Sequence, residues 1–400
     1  MHHDRATLRR VRHAVSTAAL TALTVIAAAC TAAPASPTTT TIPLTGTAPV
    51  ITSFTSSATS APAPALIAFA WQVADPQGDR LTCDIDVGAD GSSELTVPDC
   101  QGSRSRNLTI GDTGAYAVRF TVSDGTESAT STVGLSVTAG SSETFDIVLR
   151  PQTALSPEAQ AAFSAAEARW EGIVTAGIPA VRATIGANGC GALNGAIDEV
   201  VDDVVIDIST TAIDGAGGVL ARAGPCLVST GDGLPRFGVM EFDIDDLTNL
   251  IASGTLTAVI THEMGHMLGI GTRWTATKPG VFLSGGGTSN PRFTGPRAVA
   301  EWSTLGGTGA VPVESTGGAG TADSHWREST FGNEMMTGFV SGPVNPLSRL
   351  TIASLADLGY QVDMDRADAY SVPSGNLLRS LLAAPDVELR VDRLGPVGGA

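Results

Sequence analysis

The segment Thr261-His262-Glu263-Met264-Gly265-His266-Met267-Leu268-Gly269 decides how the rest of the chain is read. Residues 255–268 read as a helix, and Gly269 suits its C-terminal turn. On a helix, residues four apart lie on one face one turn from each other, so the imidazoles of His262 and His266 can reach a single zinc ion. Glu263 stands beside them, placed to take a proton from a water that such a metal activates. Beyond position 29 the chain keeps only 3 histidines and 14 glutamates in 371 residues. At that composition a His-Glu-x-x-His match arises by chance about once in a thousand such chains.

The histidine census extends the argument. The other histidines are His2, His3, His13 and His325, and the first three lie in the N-terminal leader. A catalytic zinc takes three protein ligands and keeps one position open. His325 is the only imidazole available as the third. The alternative is a carboxylate third ligand, as in gluzincins, with Glu301 the nearest choice; that reading leaves His325, Gly269 and Met336 unexplained.

Gly269 extends the motif toward His-Glu-x-x-His-x-x-Gly-x-x-His, the signature of metzincin peptidases. The third histidine of that short form falls at position 272, which is Thr272, and 58 residues separate His266 from His325. Asp323-Ser324-His325-Trp326 is followed by Asn333-Glu334-Met335-Met336-Thr337-Gly338, and then by Asn345-Pro346-Leu347-Ser348. Together these resemble the leishmanolysin family, in which an insertion precedes the third histidine. The resemblance implies a metzincin fold over most of residues 144–368. It also implies zinc held by His262, His266 and His325, Glu263 as the catalytic base, and Met336 in the turn beneath the metal. Protein or peptide substrates follow, lying extended beside an edge strand. The glycine-rich insertion, with Gly285-Gly286-Gly287 in it, either shapes the cleft rim or is a surface excursion. The competing function is a cell-surface adhesion or binding protein on a decayed metzincin scaffold; decay loses ligands or base, and here all four residues remain.

The N-terminus reads as a leader over residues 1–29. Arg5, Arg9, Arg10 and Arg12 precede a 16-residue, mostly apolar stretch from Ala14 to Ala29, short of the roughly 20 residues a membrane span needs. Basic region, apolar stretch and small-residue end make a secretory signal. Ala27-Ala28-Ala29-Cys30 resembles a bacterial lipoprotein box, which implies acylation at Cys30 and a membrane tie through that lipid alone; simple secretion is the alternative. Residues 30–49, rich in Thr and Pro, read as an extended stalk.

Composition agrees with an exported globular protein. The chain is 42% hydrophobic and carries a formal net charge of −17, with Lys278 its only lysine. Such acidity argues against a nucleic-acid partner. Cys83 and Cys100 fall in one region, and Cys190 and Cys226 in another, which suggests one disulfide in each; buried reduced thiols are the alternative.

Residues 50–139 show period-two alternation. Tyr116, Val118, Phe120 and Val122 alternate with polar partners, Ser123-Asp124-Gly125 turns the chain, and Val133, Leu135 and Val137 alternate again. This predicts an antiparallel sandwich. Asp112-Thr113-Gly114-Ala115-Tyr116 resembles the tyrosine corner of immunoglobulin-like domains. Trp71 ahead of Asp75-Pro76-Gln77-Gly78-Asp79 resembles domains of the polycystic-kidney-disease type. Asp75, Asp79, Asp84, Asp86 and Asp90 offer oxygens to calcium or are a turn-rich acidic surface.

From residue 144 to 368, strands at Phe145–Leu149, Val204–Ile208 and Val239–Phe242 mix with helices. One is opened by Ser156-Pro157, presents Phe163, Ala166, Trp170 and Ile173 on one face, and is stopped by Gly177. Another is opened by Ser348, lined by Ile352, Leu355 and Leu358, and ended by Gly359. Residues 369–400 read as a tail. The expected whole is multidomain: an all-β immunoglobulin-like sandwich, then an α+β metzincin-type zinc peptidase domain.

Overall fold

The computed structural model describes residues 46–141, 143–340, 342–373 and 387–388. The leader, Cys30, the stalk up to residue 45 and most of the expected tail lie outside the described residues.

Strands β1 (Val50–Ser56), β2 (Ser60–Pro62), β3 (Ala65–Ala74), β4 (Thr82–Val87), β5 (Leu95–Pro98), β6 (Gly102–Ile110), β7 (Gly114–Ser123) and β8 (Ser128–Thr138) come first. They form two sheets, β1-β3-β6 and β2-β8-β7-β4-β5. Every pairing is antiparallel except β2 with β8. The alternation read in the sequence is the reason: Val118, Phe120 and Val122 of β7 turn inward onto Phe54, Phe69 and Trp71, a core of their own. Cys83–Cys100 closes a 17-residue interval here, and Tyr116 donates from its hydroxyl to Asp112 O at 2.9 Å.

The chain continues through β9 (Ile147–Pro151), α1 (Pro157–Glu171), β10 (Val181–Ile185), β11 (Ile197–Val201), β12 (Val204–Thr211), β13 (Ala221–Val228), β14 (Pro235–Asp243), α2 (Ile244–Ser253) and α3 (Leu256–Met267). The main sheet has the order β13-β14-β12-β9, with β9, β12 and β14 parallel and β13 antiparallel at the edge. One face, with Ile206, Ile208, Ala223, Met240 and Phe242, packs under α1 and α3. The opposite face, with Val205, Phe237 and Val239, is covered by the β10–β11 hairpin and the Cys190–Cys226 disulfide. Covered on both faces, β14 is buried along all nine residues, as parallel-sheet strands are.

Helix α1 begins as its sequence dictates: Ser156 Oγ accepts from Ala159 N, and Pro157 takes the first helical position. Its end corrects the sequence expectation. Gly177 does not stop it; the helix closes at Glu171, where Ile173 donates back three residues to Trp170 O and tightens the last turn. Val174 then bridges Val362, so a tertiary pairing draws the chain out of the helix before Gly177 is reached.

Short strands β15 (Leu283–Ser284) and β16 (Arg292–Phe293), helix α4 (Pro296–Thr304) and strand β17 (Val311–Pro312) make up the 58-residue excursion. After it come α5 (Glu328–Phe331), β18 (Phe339–Val340), α6 (Arg349–Leu358) and β19 (Val387–Glu388), which pairs with β18. The excursion docks onto the sandwich through α4. Arg297 Nε donates to Leu66 O at 2.6 Å, Asn107 Nδ2 to Arg297 O and Glu301 Oε1 at 3.0 and 2.9 Å, and Arg106 to Ser303 Oγ at 2.9 Å. On its other side α4 meets α6, where Asp357 accepts from the N–H groups of Arg297 and Ala298 at the start of α4. Helix α6 starts at its Ser348 cap and ends at Gly359, as read from sequence, yet residues 350–358 are buried all round. Among the described residues no helix is long and apolar enough to cross a membrane.

Candidate metal centre

Helix α3 is apolar enough to be buried on nearly every side; of its twelve residues only Thr257 is exposed. It lies against the main sheet beside β13 and β14 and against α1, whose Trp170 donates from Nε1 to Thr261 O at 2.9 Å. That contact fixes the turn carrying His262. Gly265 sits where a Cβ would fall 2.7 Å from Met336 Sδ, so the missing side chain lets the methionine close beneath the helix. After α3, Gly269 (φ +108°) reverses the chain. Gly271 (φ +73°) passes so near the loop before His325 that a Cβ would lie 2.2 Å from Ser324 O. Thr272, where the short motif has its third histidine, instead donates to His266 O.

The segment carrying His325 is held on both sides: Trp326 bridges Val313 at the end of the excursion and Thr337 of the methionine turn. These supports bring His262, His266 and His325 together. Their Nε2 atoms stand 2.9, 3.1 and 3.1 Å apart, and all three residues have 0% exposure. Each Nδ1 faces a carbonyl: His262 with Met335 O at 2.7 Å, His266 with Ile270 O at 2.8 Å, and His325 with Thr321 O at 2.9 Å. A carbonyl only accepts, so each Nδ1 carries the proton and each neutral ring turns the lone pair of Nε2 toward the other two. Three lone pairs at that spacing repel one another, and a cation among them removes the repulsion; the donor set fits zinc. Burial holds His262 in its neutral form, its pKa brought down to about 3, and lowers His325 to about 4. Among the described residues this is the one group of three or more His, Cys, Asp or Glu side chains arranged to hold a metal.

Glu263, the next residue on the helix after His262, is also fully buried, and neither of its carboxylate oxygens has a hydrogen-bond partner among the described residues. Burial pushes its pKa up to about 8. Met336 lies under the site at 0% exposure.

Glu301 does not join the histidines. It lies on α4, where it accepts from Asn107 and from Arg349 Nε. The acidic residues of the sandwich are likewise not assembled into a cation site: Asp86 pairs with Arg119 and accepts from Asp90 N and Gly91 N, Asp84 accepts from Thr96, and Asp75 accepts from Gln77 N and Asp79 N. Calcium therefore has no support here. Sequence reasoning missed two buried carboxylates around the centre, Glu314 and Glu334, because nothing in a sequence marks an acidic residue as interior.

A helix-borne His-Glu-x-x-His with a third histidine brought in from a later loop over a methionine turn is the pattern of the metzincin zinc centres. Comparison with known proteins narrows this. The family model for leishmanolysin matches residues 198–378. A leishmanolysin homolog of Crithidia fasciculata is 33% identical over 150 residues, 36% of this chain and 22% of that protein. Leishmanolysin of Leishmania tropica is 32% identical over 158 residues, 38% of this chain and 23% of that protein. The match thus spans under a quarter of the length of these relatives. A solved PKD domain of an M14-like peptidase from Thermoplasmatales archaeon SCGC AB-540-F20 aligns at 22% identity with a TM-score of 0.20, over 22% of this chain and 92% of that domain. Over residues 198–378 the protein is leishmanolysin-like.

Proposed function

We propose that the protein is an exported zinc-dependent endopeptidase, with the metal held by His262, His266 and His325 and Glu263 as general base. The observation that carries the reading is the convergence of three carbonyl-anchored imidazoles beside a buried carboxylate that has no hydrogen-bond partner among the described residues. Bound there, zinc supplies a Lewis acid that polarises the scissile carbonyl and acidifies the attacking water. Glu263 accepts the proton of that water and returns it to the departing amine nitrogen as the peptide bond breaks. The carbonyls of Met335, Ile270 and Thr321 keep the three rings in the tautomer that presents Nε2. An extended substrate is placed along β13, the edge strand beside α3, where main-chain hydrogen bonds can add it to the sheet. The binding-protein alternative is disfavoured, since no ligand and no base has been lost.

Export is supported by the leader pattern and by the two disulfides. Cys30 is the proposed acylation point, and the sandwich is proposed to be immunoglobulin-like on the Tyr116–Asp112 bond.

The test is casein digestion by the purified exported chain beside Glu263→Ala and a chelated sample, with zinc measured in wild type and His325→Ala. Cleavage that disappears in both controls, with zinc lost from His325→Ala, supports the reading. A wild-type protein that neither cuts casein nor retains zinc overturns it.

A further inference from the structure

We propose that Glu334 is a positioning residue for the metal centre: its buried carboxylate locks the methionine turn onto the start of α6 and so sets the carbonyl that orients His262. The inference rests on the reading of His262 as a zinc ligand.

Glu334 has 0% exposure and receives four donors. Oε2 accepts from Met336 N at 2.7 Å; Oε1 accepts from Ser348 N at 3.0 Å, Ser348 Oγ at 2.6 Å and Thr351 Oγ1 at 2.5 Å. One carboxylate therefore bridges two segments that meet only in the folded chain. Between Glu334 and the Met336 N–H that its side chain grips lies Met335, whose carbonyl accepts from Nδ1 of His262 at 2.7 Å and whose own N–H is held by Pro346 O at 2.9 Å. The same carboxylate reaches the third histidine. Thr351 Oγ1 accepts from Trp326 Nε1 at 2.8 Å, and Trp326 follows His325 and donates from its backbone to Met336 O at 2.9 Å.

Capping α6 does not account for this residue. Ser348 already caps the helix, accepting from Thr351 N at 3.3 Å, and the bond from Met336 N to Oε2 does nothing for α6. Burying a carboxylate without a cation among these donors is costly, and four converging donors offset that cost only while turn and helix keep this one arrangement. The carboxylate thus makes the position of the Met335 carbonyl a property of the core rather than of a loop. Misplacing an acceptor on Nδ1 rotates the ring and weakens its grip on a metal.

Glu334→Gln tests this. Its amide presents one oxygen and one NH2 group, so either Met336 N or Ser348 N faces a donor instead of an acceptor. Asp357→Asn is the reference: another buried carboxylate, at the other end of the helix whose start Glu334 grips, accepting two backbone N–H groups of α4 rather than any in the turn. Zinc release to a competing chelator and the visible d–d bands of the cobalt-substituted protein are measured for wild type and both variants, beside urea unfolding of each. The expected result is zinc release about tenfold faster or more in Glu334→Gln, with altered cobalt bands, while Asp357→Asn keeps wild-type values of both. Thr351→Val, which removes one Oε1 donor, carries the same test if Glu334→Gln does not fold, with a smaller acceleration expected. Wild-type release and bands in the Glu334 and Thr351 variants overturn the proposal, and so does equal acceleration in Asp357→Asn. A wild type that binds neither metal overturns the underlying ligand reading instead, so the two failures are distinguishable.

Discussion

Gly271→Ala perturbs the proposed metal centre without altering any of its proposed ligands. Gly271 has φ +73°, and an added Cβ would stand 2.2 Å from Ser324 O and 2.9 Å from its carbonyl carbon. Two costs follow. A non-glycine residue in the left-handed region costs about 1–2 kcal/mol, and driving a side chain into packed backbone costs about 1–3 kcal/mol more. The total is about 2–5 kcal/mol, and the backbone that must yield is that of Ser324, next to His325. Gly254→Ala separates the two terms. Gly254 ends α2 at φ +72°, with nothing within 4 Å of its Cβ position, so only the conformational cost of about 1–2 kcal/mol applies. Urea unfolding of both variants, followed by tryptophan fluorescence with and without saturating zinc, reads the difference. Gly271→Ala should lose about 1–3 kcal/mol more than Gly254→Ala and should also bind zinc more weakly. Equal losses, with wild-type zinc affinity in Gly271→Ala, would refute the argument that the turn after α3 and the loop before His325 are in backbone contact.

Three further outcomes are expected. Burial raises the Asp357 carboxyl to about 6, against an ordinary value of 3.8, outweighing Arg297 and the two N–H groups that favour its charge. The folded state then binds a proton that the unfolded state lacks between those values, so the contribution of this group is full below pH 4 and is lost as pH rises through 6. It amounts to about 3 kcal/mol at most, and Asp357→Asn should remove that slope from the urea midpoint plotted against pH. Replacing Cys190 and Cys226 by serine opens a 36-residue interval and should cost about 4 kcal/mol, against about 3 for the 17-residue interval of Cys83 and Cys100; calorimetry of both double variants gives the order. Asn107→Asp sets a carboxylate against Glu301 Oε1 and Arg297 O, where the amide now donates, and should destabilise the chain by about 2–3 kcal/mol, with the loss shrinking in high salt.

The His-Glu-x-x-His helix, the capped starts of α1 and α6 and the β7–β8 alternation were legible because each rests on interactions within a few residues of chain. The two disulfides were legible from the grouping of four cysteines. His325 was legible for another reason: the histidine census left no other imidazole. What failed was local reasoning against a tertiary contact, as where α1 closes at Glu171 because Val174 pairs with Val362. The excursion read as a cleft rim, with a surface loop as the alternative, and in the fold α4 is wedged between the sandwich and α6.

By itself, then, the sequence determined the chemistry on offer: three imidazoles, one adjacent carboxylate and the periodicities that build a sandwich and a mixed α+β region. Only the tertiary structure decided that the three Nε2 atoms meet within 3.1 Å, which carbonyls hold their Nδ1 protons, and that Glu334 joins the methionine turn to α6. Periodicity and capping are properties of neighbours along the chain. The convergence of His262 with His325, 63 residues apart, depends on Trp170 beneath α3, the missing Cβ of Gly271 and a buried carboxylate, contacts that exist only once remote segments have packed.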